Sequence, residues 1–239
     1  MFSQSLLLIN LLPLLWLCGV CSVLVTKCKS DDSKCIKEST QAMILEFGKG
    51  LPEYNVKSID PISFKRIDAS KPNLKLILSD ITVTGLKDCI AKKIVRDKSK
   101  DKLLTKFLCN LQIEGQYEMD GQLLIIPIKG KGPLHVTLRK FELIVEADMS
   151  KTEKEGVSYF GIKNWKHSFA LKDKSDVVFE NLFDGNEVLA AAAREVISSG
   201  SNEVVLEVGP PAIKTIATEV VKNINNFFNN VPAQELSLD

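Results

Sequence analysis

The sequence predicts an α+β domain in which a long, curved antiparallel β-sheet wraps around a long C-terminal α-helix. Apolar residues recur at steps of three and four over residues 211–231, which is the helical period. Over residues 107–125 the odd positions are apolar or glycine, and the even positions through Gln122 are nearly all polar. That alternation spans about three times the usual strand length, so the sheet must curl. The concave side of such a sheet would receive the apolar helix.

Residues 1–22 are predicted to be a secretory signal peptide. Residues 6–20 form an apolar run that is shorter than the roughly 20 residues needed to span a membrane, and the small residues Gly19, Cys21 and Ser22 follow. We therefore expect a secreted, extracellular protein whose single folded domain covers residues 23–239.

Four cysteines follow the predicted cleavage site. Cys28 and Cys35 bracket a short polar loop, and in an oxidising compartment the default for such a pair is a disulfide. Cys89 and Cys109 both fall on apolar faces of predicted strands. Two alternatives remain open for them: a second disulfide or two buried thiols.

Helical spacing predicts a first helix over residues 36–47, which Gly48 and Gly50 end, and alternating strands are expected from about Leu74. After residue 125, Pro127 and the run Gly130-Lys131-Gly132-Pro133 are predicted to break the chain and turn it into a return strand. The apolar phase changes between Leu138 and Phe141, which indicates a β-bulge.

Composition excludes several classes of function. Lys+Arg number 31 and Asp+Glu 30, so a net charge of +1 gives no electrostatic reason to expect nucleic acid or an anionic membrane as partner. The chain has two histidines, His135 and His167, and no metal-binding or nucleophile motif after the signal segment. No enzyme activity, cofactor or metal is expected.

Several motifs, taken together and in order, resemble the takeout and juvenile-hormone-binding family of secreted insect proteins. They are Cys28 and Cys35 after the signal, Gly50-Leu51-Pro52 followed by Asp60-Pro61, Gly115-x-Tyr117, the run from Gly121 to Ile128, Gly130-x-Gly132-Pro133, Asn181-Leu182-Phe183-x-Gly185, and Val231-Pro232. The resemblance covers the whole chain after the signal. It implies a sheet wrapped around a helix with an internal apolar tunnel, and a monomeric haemolymph carrier of a small lipophilic ligand without stable membrane insertion.

An apolar inner face by itself favours a packed core, whereas the resemblance favours a tunnel. The expected tunnel-lining residues are the inward-facing side chains of strands and helix: Leu111, Ile113, Tyr117, Met119, Leu123, Phe141, Leu143, Trp165, His167, Phe169, Ile213, Ile216, Val220, Ile224 and Phe227. Tyr117 and His167 would each either contact the ligand or bond within the protein. The alternative function is an extracellular interaction protein of the same fold that recognises a lipid surface or a receptor without a stored ligand.

Overall fold

The computed structural model describes residues 25–239, and the predicted signal peptide lies outside the described residues. In this part of the chain one α-helix precedes seven strands and four α-helices follow them, and short 3-10 helices lie at Pro52–Tyr54, Leu86–Asp88 and Phe183–Gly185. The elements in chain order are α1 Ser33–Lys49, β1 Ile62–Asp68, β2 Leu74–Thr84, β3 Ile90–Asp97, β4 Lys102–Leu123, β5 Ile126–Lys154, β6 Val157–Leu171, β7 Asp176–Phe179, α2 Glu187–Ser199, α3 Ser201–Val208, α4 Pro210–Asn230 and α5 Ala233–Leu236. The predicted α+β class is confirmed.

The strands form one antiparallel sheet with the order β1-β2-β4-β5-β6, and β3 and β7 pair with β4 and β5 beside this path. The prediction that strands begin near Leu74 was wrong, because β1 already starts at Ile62. Its buried residues Ile62 and Ile67 are five positions apart, so the period of two is broken within the strand. The first helix extends the prediction by a few residues at each end.

The alternation over β4 holds in the structure. Leu111, Tyr117, Met119 and Leu123 are buried, and the even positions between them are exposed or partly exposed. The strand is 22 residues long, which corresponds to roughly 70 Å at 3.3 Å per residue. Its two faces differ as the sequence predicts.

The turn between β4 and β5 lies at Leu124 and Ile125, so the predicted turn at residues 130–133 was wrong. Residues 126–154 form one strand that runs through both glycines of that segment. A Cβ on Gly130 would lie 2.5 Å from the Tyr117 hydroxyl oxygen, and one on Gly132 would lie 2.8 Å from the Glu180 carbonyl oxygen. These glycines therefore permit close packing inside the sheet rather than a reversal of the chain.

The predicted bulge in β5 is confirmed. Leu111 pairs with Leu138 and Cys109 pairs with Phe141, so the register shifts between these pairs. Lys140 adopts a positive φ of 46° inside the bulge. The shift returns Phe141 to the inner face that Leu138 also occupies, which keeps the apolar surface continuous.

Helix α4 closes the open side of the curved sheet. It packs against β6 and β1, which stand at the two ends of the strand order. Asn225 Oδ1 accepts a hydrogen bond of 2.7 Å from the Ile162 N–H in β6, and Asn223 Oδ1 accepts one of 2.9 Å from the Lys57 N–H before β1. Asparagines therefore satisfy backbone donors on both sides of the helix.

The core formed by residues 25–239 consists of two clusters. The larger cluster joins the inner face of the sheet to α2, α3 and the first half of α4, which contributes Ile213 and Ile216. The smaller cluster lies at the other end of α4, where Phe227 packs on Phe47 of α1 with 5.4 Å between ring centroids. The helix is anchored at both ends by different sets of residues.

Residues 25–239 contain two disulfides. The predicted Cys28–Cys35 bond is confirmed. Cys89 is bonded to Cys109, with 4.3 Å between the Cα atoms, which decides between the two alternatives left open by the sequence. The pairing of Ile90 with Leu108 in β3 and β4 brings the two cysteines opposite each other.

Candidate ligand-binding site

The paired strands β4, β5 and β6 place four rows of side chains on the inner face of the sheet. We call this surface the β4–β6 wall. Its rows are Leu103, Ala147 and Trp165; Thr105, Val145 and His167; Phe107, Leu143 and Phe169; and Cys109, Phe141 and Leu171. Antiparallel partners share one face of a sheet, so these twelve side chains project toward the same side.

Large apolar side chains of the wall are only partly buried. Phe107, Leu143 and Phe169 form one row in the middle of the wall, and each retains accessible surface although it packs against the larger core cluster. Phe141 is buried and stacks on Phe169, with 5.7 Å between ring centroids. The wall is therefore anchored by packed rings but is not covered along its whole length.

The apolar stripe of α4 shows the same division. Ile213 and Ile216 are buried near its N-terminus, and Phe227 is buried near its C-terminus. Between them, Val220 and Ile224 are partly buried. These two side chains therefore keep accessible surface between Ile216 and Phe227, and Ile224 also packs against the smaller cluster.

The distal half of β4 is packed core, and α4 is not the element that covers it. Tyr117 is 1% exposed and packs edge-to-face on Phe179 of β7, with 4.8 Å between centroids. Its hydroxyl donates a hydrogen bond of 2.6 Å to the Glu180 carbonyl oxygen, and burial raises its pKa to about 12. Of the two alternatives for this hydroxyl, the structure shows the bond within the protein.

Other predicted lining residues of β4 divide in the same way. Met119 and Leu123 belong to the larger core cluster together with residues of α2 and α3. Leu111 is buried, whereas Ile113, paired with Val83 and Val136, is partly buried. Ile113 keeps some accessible surface, but the buried Leu111 and Cys109 separate it from the partly buried rows of the wall.

His167 lies on the wall between Trp165 and Phe169. Its ring centroid is 5.6 Å from that of Trp165, and the side chain is partly buried. No hydrogen bond joins its ring nitrogens to any residue between 25 and 239. Burial lowers the pKa of His167, and the Lys214 ammonium on α4 lowers it further.

Sequence reasoning left several wall residues out of the predicted lining, and Phe107 and the helix residue Lys214 are the two that bear on the site. Phe107 was placed in the strand but not among the lining residues, although its odd position put it in phase with Leu111. Lys214 occupies a polar position of the helical pattern, and the period indicates only that it is exposed. Its proximity to His167 depends on how α4 lies beside β6.

The outer face of the same strands is polar. Lys102 pairs with Asp148 at 2.9 Å and Lys166 pairs with Glu146 at 2.8 Å. His135 lies between two carboxylates: its Nδ1 contacts Glu114, and its Nε2 lies 3.1 Å from Glu180. The hydrogen bond with Glu114, supported by Glu180, raises the pKa of His135.

No helix within residues 25–239 has the length and apolar character that a membrane crossing requires.

Comparison with known proteins agrees with the fold and with the motifs. The circadian clock-controlled protein daywake of Drosophila yakuba is 27% identical over 225 residues, covering 87% of this chain and 85% of that protein. The juvenile hormone-binding protein of Manduca sexta is 27% identical over 89 residues, 36% of this chain and 39% of that protein. The crystal structure of Epiphyas postvittana Takeout 1 matches with a TM-score of 0.87 and 26% identity, covering 90% of this chain and 100% of that one.

The family model described as haemolymph juvenile hormone binding protein (JHBP) matches residues 13–238. That match extends over the sheet, both disulfides and all the C-terminal helices. The chain therefore belongs to the haemolymph juvenile hormone binding protein family.

Proposed function

We propose that this protein is a secreted carrier that holds one small lipophile between the β4–β6 wall and α4. The observation that carries the proposal is the incomplete burial of Phe107, Leu143 and Phe169 on an inward-facing surface. A closely packed interior would bury such side chains. The partly buried Val220 and Ile224 supply apolar surface from the helix.

A lipid chain would supply the missing contacts. Burial of each CH2 group contributes about 0.8 kcal/mol, so a juvenile-hormone-like terpenoid, a fatty acid or a similar lipid would bind with few polar contacts. Trp165 and His167, which are also partly buried on the wall, would extend the lining of this tunnel, whereas Tyr117, Met119 and Leu123 belong to the packed core. Wall and helix belong to one chain, so a monomer suffices for binding.

Secretion and the absence of catalysis belong to the same proposal. Residues 1–22 have the pattern of a signal peptide, and two disulfides within the described residues suit an oxidising compartment. The family is named for haemolymph and for binding. We expect release into the haemolymph and no enzymatic turnover of the ligand.

The test compares lipid binding by the wild type with lipid binding by a variant in which a larger side chain fills the space beside the wall. One sample of secreted protein is extracted with organic solvent, and the extract is analysed for lipid by mass spectrometry. In a separate folded sample, displacement of a fluorescent fatty acid is measured. Leu143→Trp, in the middle row of the wall, should reduce binding at least tenfold. The matched control is Val188→Trp, at a side chain that is 82% exposed. Equal binding by folded Leu143→Trp and wild type, or no binding by wild type at micromolar concentration, contradicts the proposal.

A second candidate function has its own observation. Ile125, at the β4–β5 turn, is 85% exposed, and Val188, Leu189 and Leu206 of α2 and α3 are also exposed. The neighbouring Leu124 N–H donates to Glu207 Oε2 of α3 at 3.1 Å, so turn and helix are adjacent. Exposed aliphatic side chains would suit an interaction protein that recognises a lipid surface. Ile125→Asp with Val188→Asp should then abolish liposome binding, and the extract of the wild type should contain no lipid.

A further inference from the structure

The β4–β6 wall contains a polar side chain that has no hydrogen-bonding partner among residues 25–239. Ten of the wall's twelve residues are apolar or disulfide-bonded, and the polar ones are Thr105 and His167. The Thr105 hydroxyl donates to the Val145 carbonyl oxygen at 3.3 Å. The ring nitrogens of His167 have no hydrogen-bonding partner within residues 25–239. A partly buried imidazole in this state has a donor and an acceptor to offer.

The ammonium group of Lys214, on α4, lies near enough to His167 for its charge to lower the pKa of the ring. Lys214 lies one residue after the buried Ile213, on the half of α4 that joins the larger core cluster. Its Nζ makes no salt bridge within the described part of the chain. Its positive charge is therefore not neutralised by a carboxylate there. The nearest acidic residue along α4, Glu219, is instead paired with Lys222 at 3.6 Å.

We propose that His167 and Lys214 bind the carboxylate of an acidic lipophile whose chain lies along the wall. This inference rests on the proposed carrier function, and it adds the chemical class of the ligand: a fatty acid or another long-chain carboxylic acid. The apolar tail would contact the row of Phe107, Leu143 and Phe169, while the head group would receive hydrogen bonds from the imidazole and the ammonium.

A carboxylate fits this pair of groups better than an ester or an alcohol does. An ester carbonyl accepts hydrogen bonds but carries no charge for Lys214, whereas hydrogen bonds with ionised partners are roughly twice as strong as neutral ones. His167 is partly buried among apolar side chains, and the lower local dielectric there strengthens its hydrogen bonds. Lys166 is next to His167 in the chain, but its ammonium is paired with Glu146 on the outer face of the sheet. The positive charge for the ligand would therefore come from Lys214.

Binding of such an anion has a defined effect on His167. A negative charge placed beside an imidazole favours its protonated form. The pKa of His167, which burial and Lys214 hold below its ordinary value of 6.5, should therefore rise when the acid binds. An uncharged ligand that contacts the same ring would instead bury it further and would not raise the pKa.

The decisive experiment compares a fatty acid with its methyl ester. Affinities of delipidated, secreted wild type for both compounds are measured at pH 7.5, and the acid should bind at least tenfold more tightly. His167→Phe and Lys214→Gln should each reduce the ratio of the two affinities severalfold. Lys222→Gln, an exposed lysine on the same helix, is the matched control and should retain the wild-type ratio.

The outcomes separate this inference from the function on which it rests. A wild-type ratio near one, or a ratio retained by both His167→Phe and Lys214→Gln, overturns carboxylate recognition while the carrier function stands. Failure of folded wild type to bind either compound overturns the carrier function and this inference together. Because Lys214 is exposed, Lys214→Gln should fold normally and keeps the test valid if His167→Phe does not.

NMR provides an independent readout. The chain contains two histidines, so His135→Gln leaves one imidazole signal to titrate. Its pKa should rise by more than one unit on addition of the acid and should not rise with the methyl ester. A pKa that responds equally to both compounds contradicts a contact between His167 and the carboxylate.

Discussion

The side-chain oxygen of Asn223 accepts a hydrogen bond from the backbone N–H of Lys57, and this contact joins the middle of α4 to the chain segment before β1. Asn223 is 2% exposed, and its Nδ2 donates to the Glu219 carbonyl oxygen at 3.1 Å. On the other side of the helix, Asn225 accepts from Ile162 in β6. The position of α4 relative to the wall therefore depends on polar side chains as well as on the apolar stripe.

Asn223→Ala should destabilise the protein by about 1–3 kcal/mol, because it removes the part-buried hydrogen bond from the Lys57 N–H together with a buried amide side chain. The change in the midpoint of urea unfolding measures the effect. Asn226→Ala is the matched control, since its bond to the Asn55 carbonyl oxygen is exposed to solvent and its loss should cost less than about 1 kcal/mol. Equal losses of unfolding free energy in the two variants would show that the less exposed hydrogen bond of Asn223 contributes no more stability than the exposed one of Asn226.

Stability should depend on pH through His135. Its folded-state pKa is raised, chiefly by the hydrogen bond with Glu114, so the protonated ring stabilises the fold. This stabilisation is fully present below the ordinary pKa of 6.5 and is lost as the pH rises through the folded-state pKa. Wild type should therefore exceed His135→Gln in stability by more at pH 5.5 than at pH 9. A difference that is independent of pH, in urea titrations at both values, would contradict this assignment.

Ser175→Ala should leave stability unchanged or increase it slightly. The Ser175 hydroxyl is buried and has no hydrogen-bonding partner among the described residues, so its removal relieves a desolvation cost. Ser201→Ala provides the contrast, because the buried Ser201 hydroxyl donates to the Ser175 carbonyl oxygen at 2.6 Å. That variant should lose about 1–2 kcal/mol in chemical unfolding. A larger loss for Ser175→Ala than for Ser201→Ala would contradict the hydrogen bonding described.

The two disulfides should contribute unequally. The Cys89–Cys109 bond spans a sequence separation of 20 and the Cys28–Cys35 bond one of 7. Loop-closure entropy then assigns about 3 kcal/mol to the longer loop and about 2 kcal/mol to the shorter. Replacing both cysteines of each pair by alanine and measuring unfolding free energies tests the order. A greater loss from the Cys28–Cys35 pair would show that the entropy of the unfolded chain does not dominate.

Local periodicity was sufficient to predict the elements that have one buried face and one solvent-exposed face. The stripe over residues 211–231 predicted α4 to within one residue, and the alternation over β4 predicted its buried face. The bulge between Leu138 and Phe141 was also visible, since a one-residue change of phase must be compensated by an extra residue. The ordered motifs predicted the family that the comparisons show.

The sequence pattern gave a wrong prediction where a residue type is required by a tertiary contact with another part of the chain. Gly130 and Gly132 have the composition of a turn, but the tertiary structure uses them to admit Tyr117 and the segment after β7. The turn itself lies at Leu124 and Ile125, which are not typical turn residues.

The sequence by itself determined which side chains of β4 lie on its buried face, where α4 lies in the chain and the pairing of Cys28 with Cys35. Only the tertiary structure decided that α4 spans the two ends of the strand order, that β7 covers Tyr117, and that Lys214 acts on His167. The physical reason is that the phase of a pattern fixes the direction of a side chain relative to its own element. The distance between two elements depends instead on sheet curvature, register and the hydrogen bonds at the sheet edges, which join residues far apart in the chain.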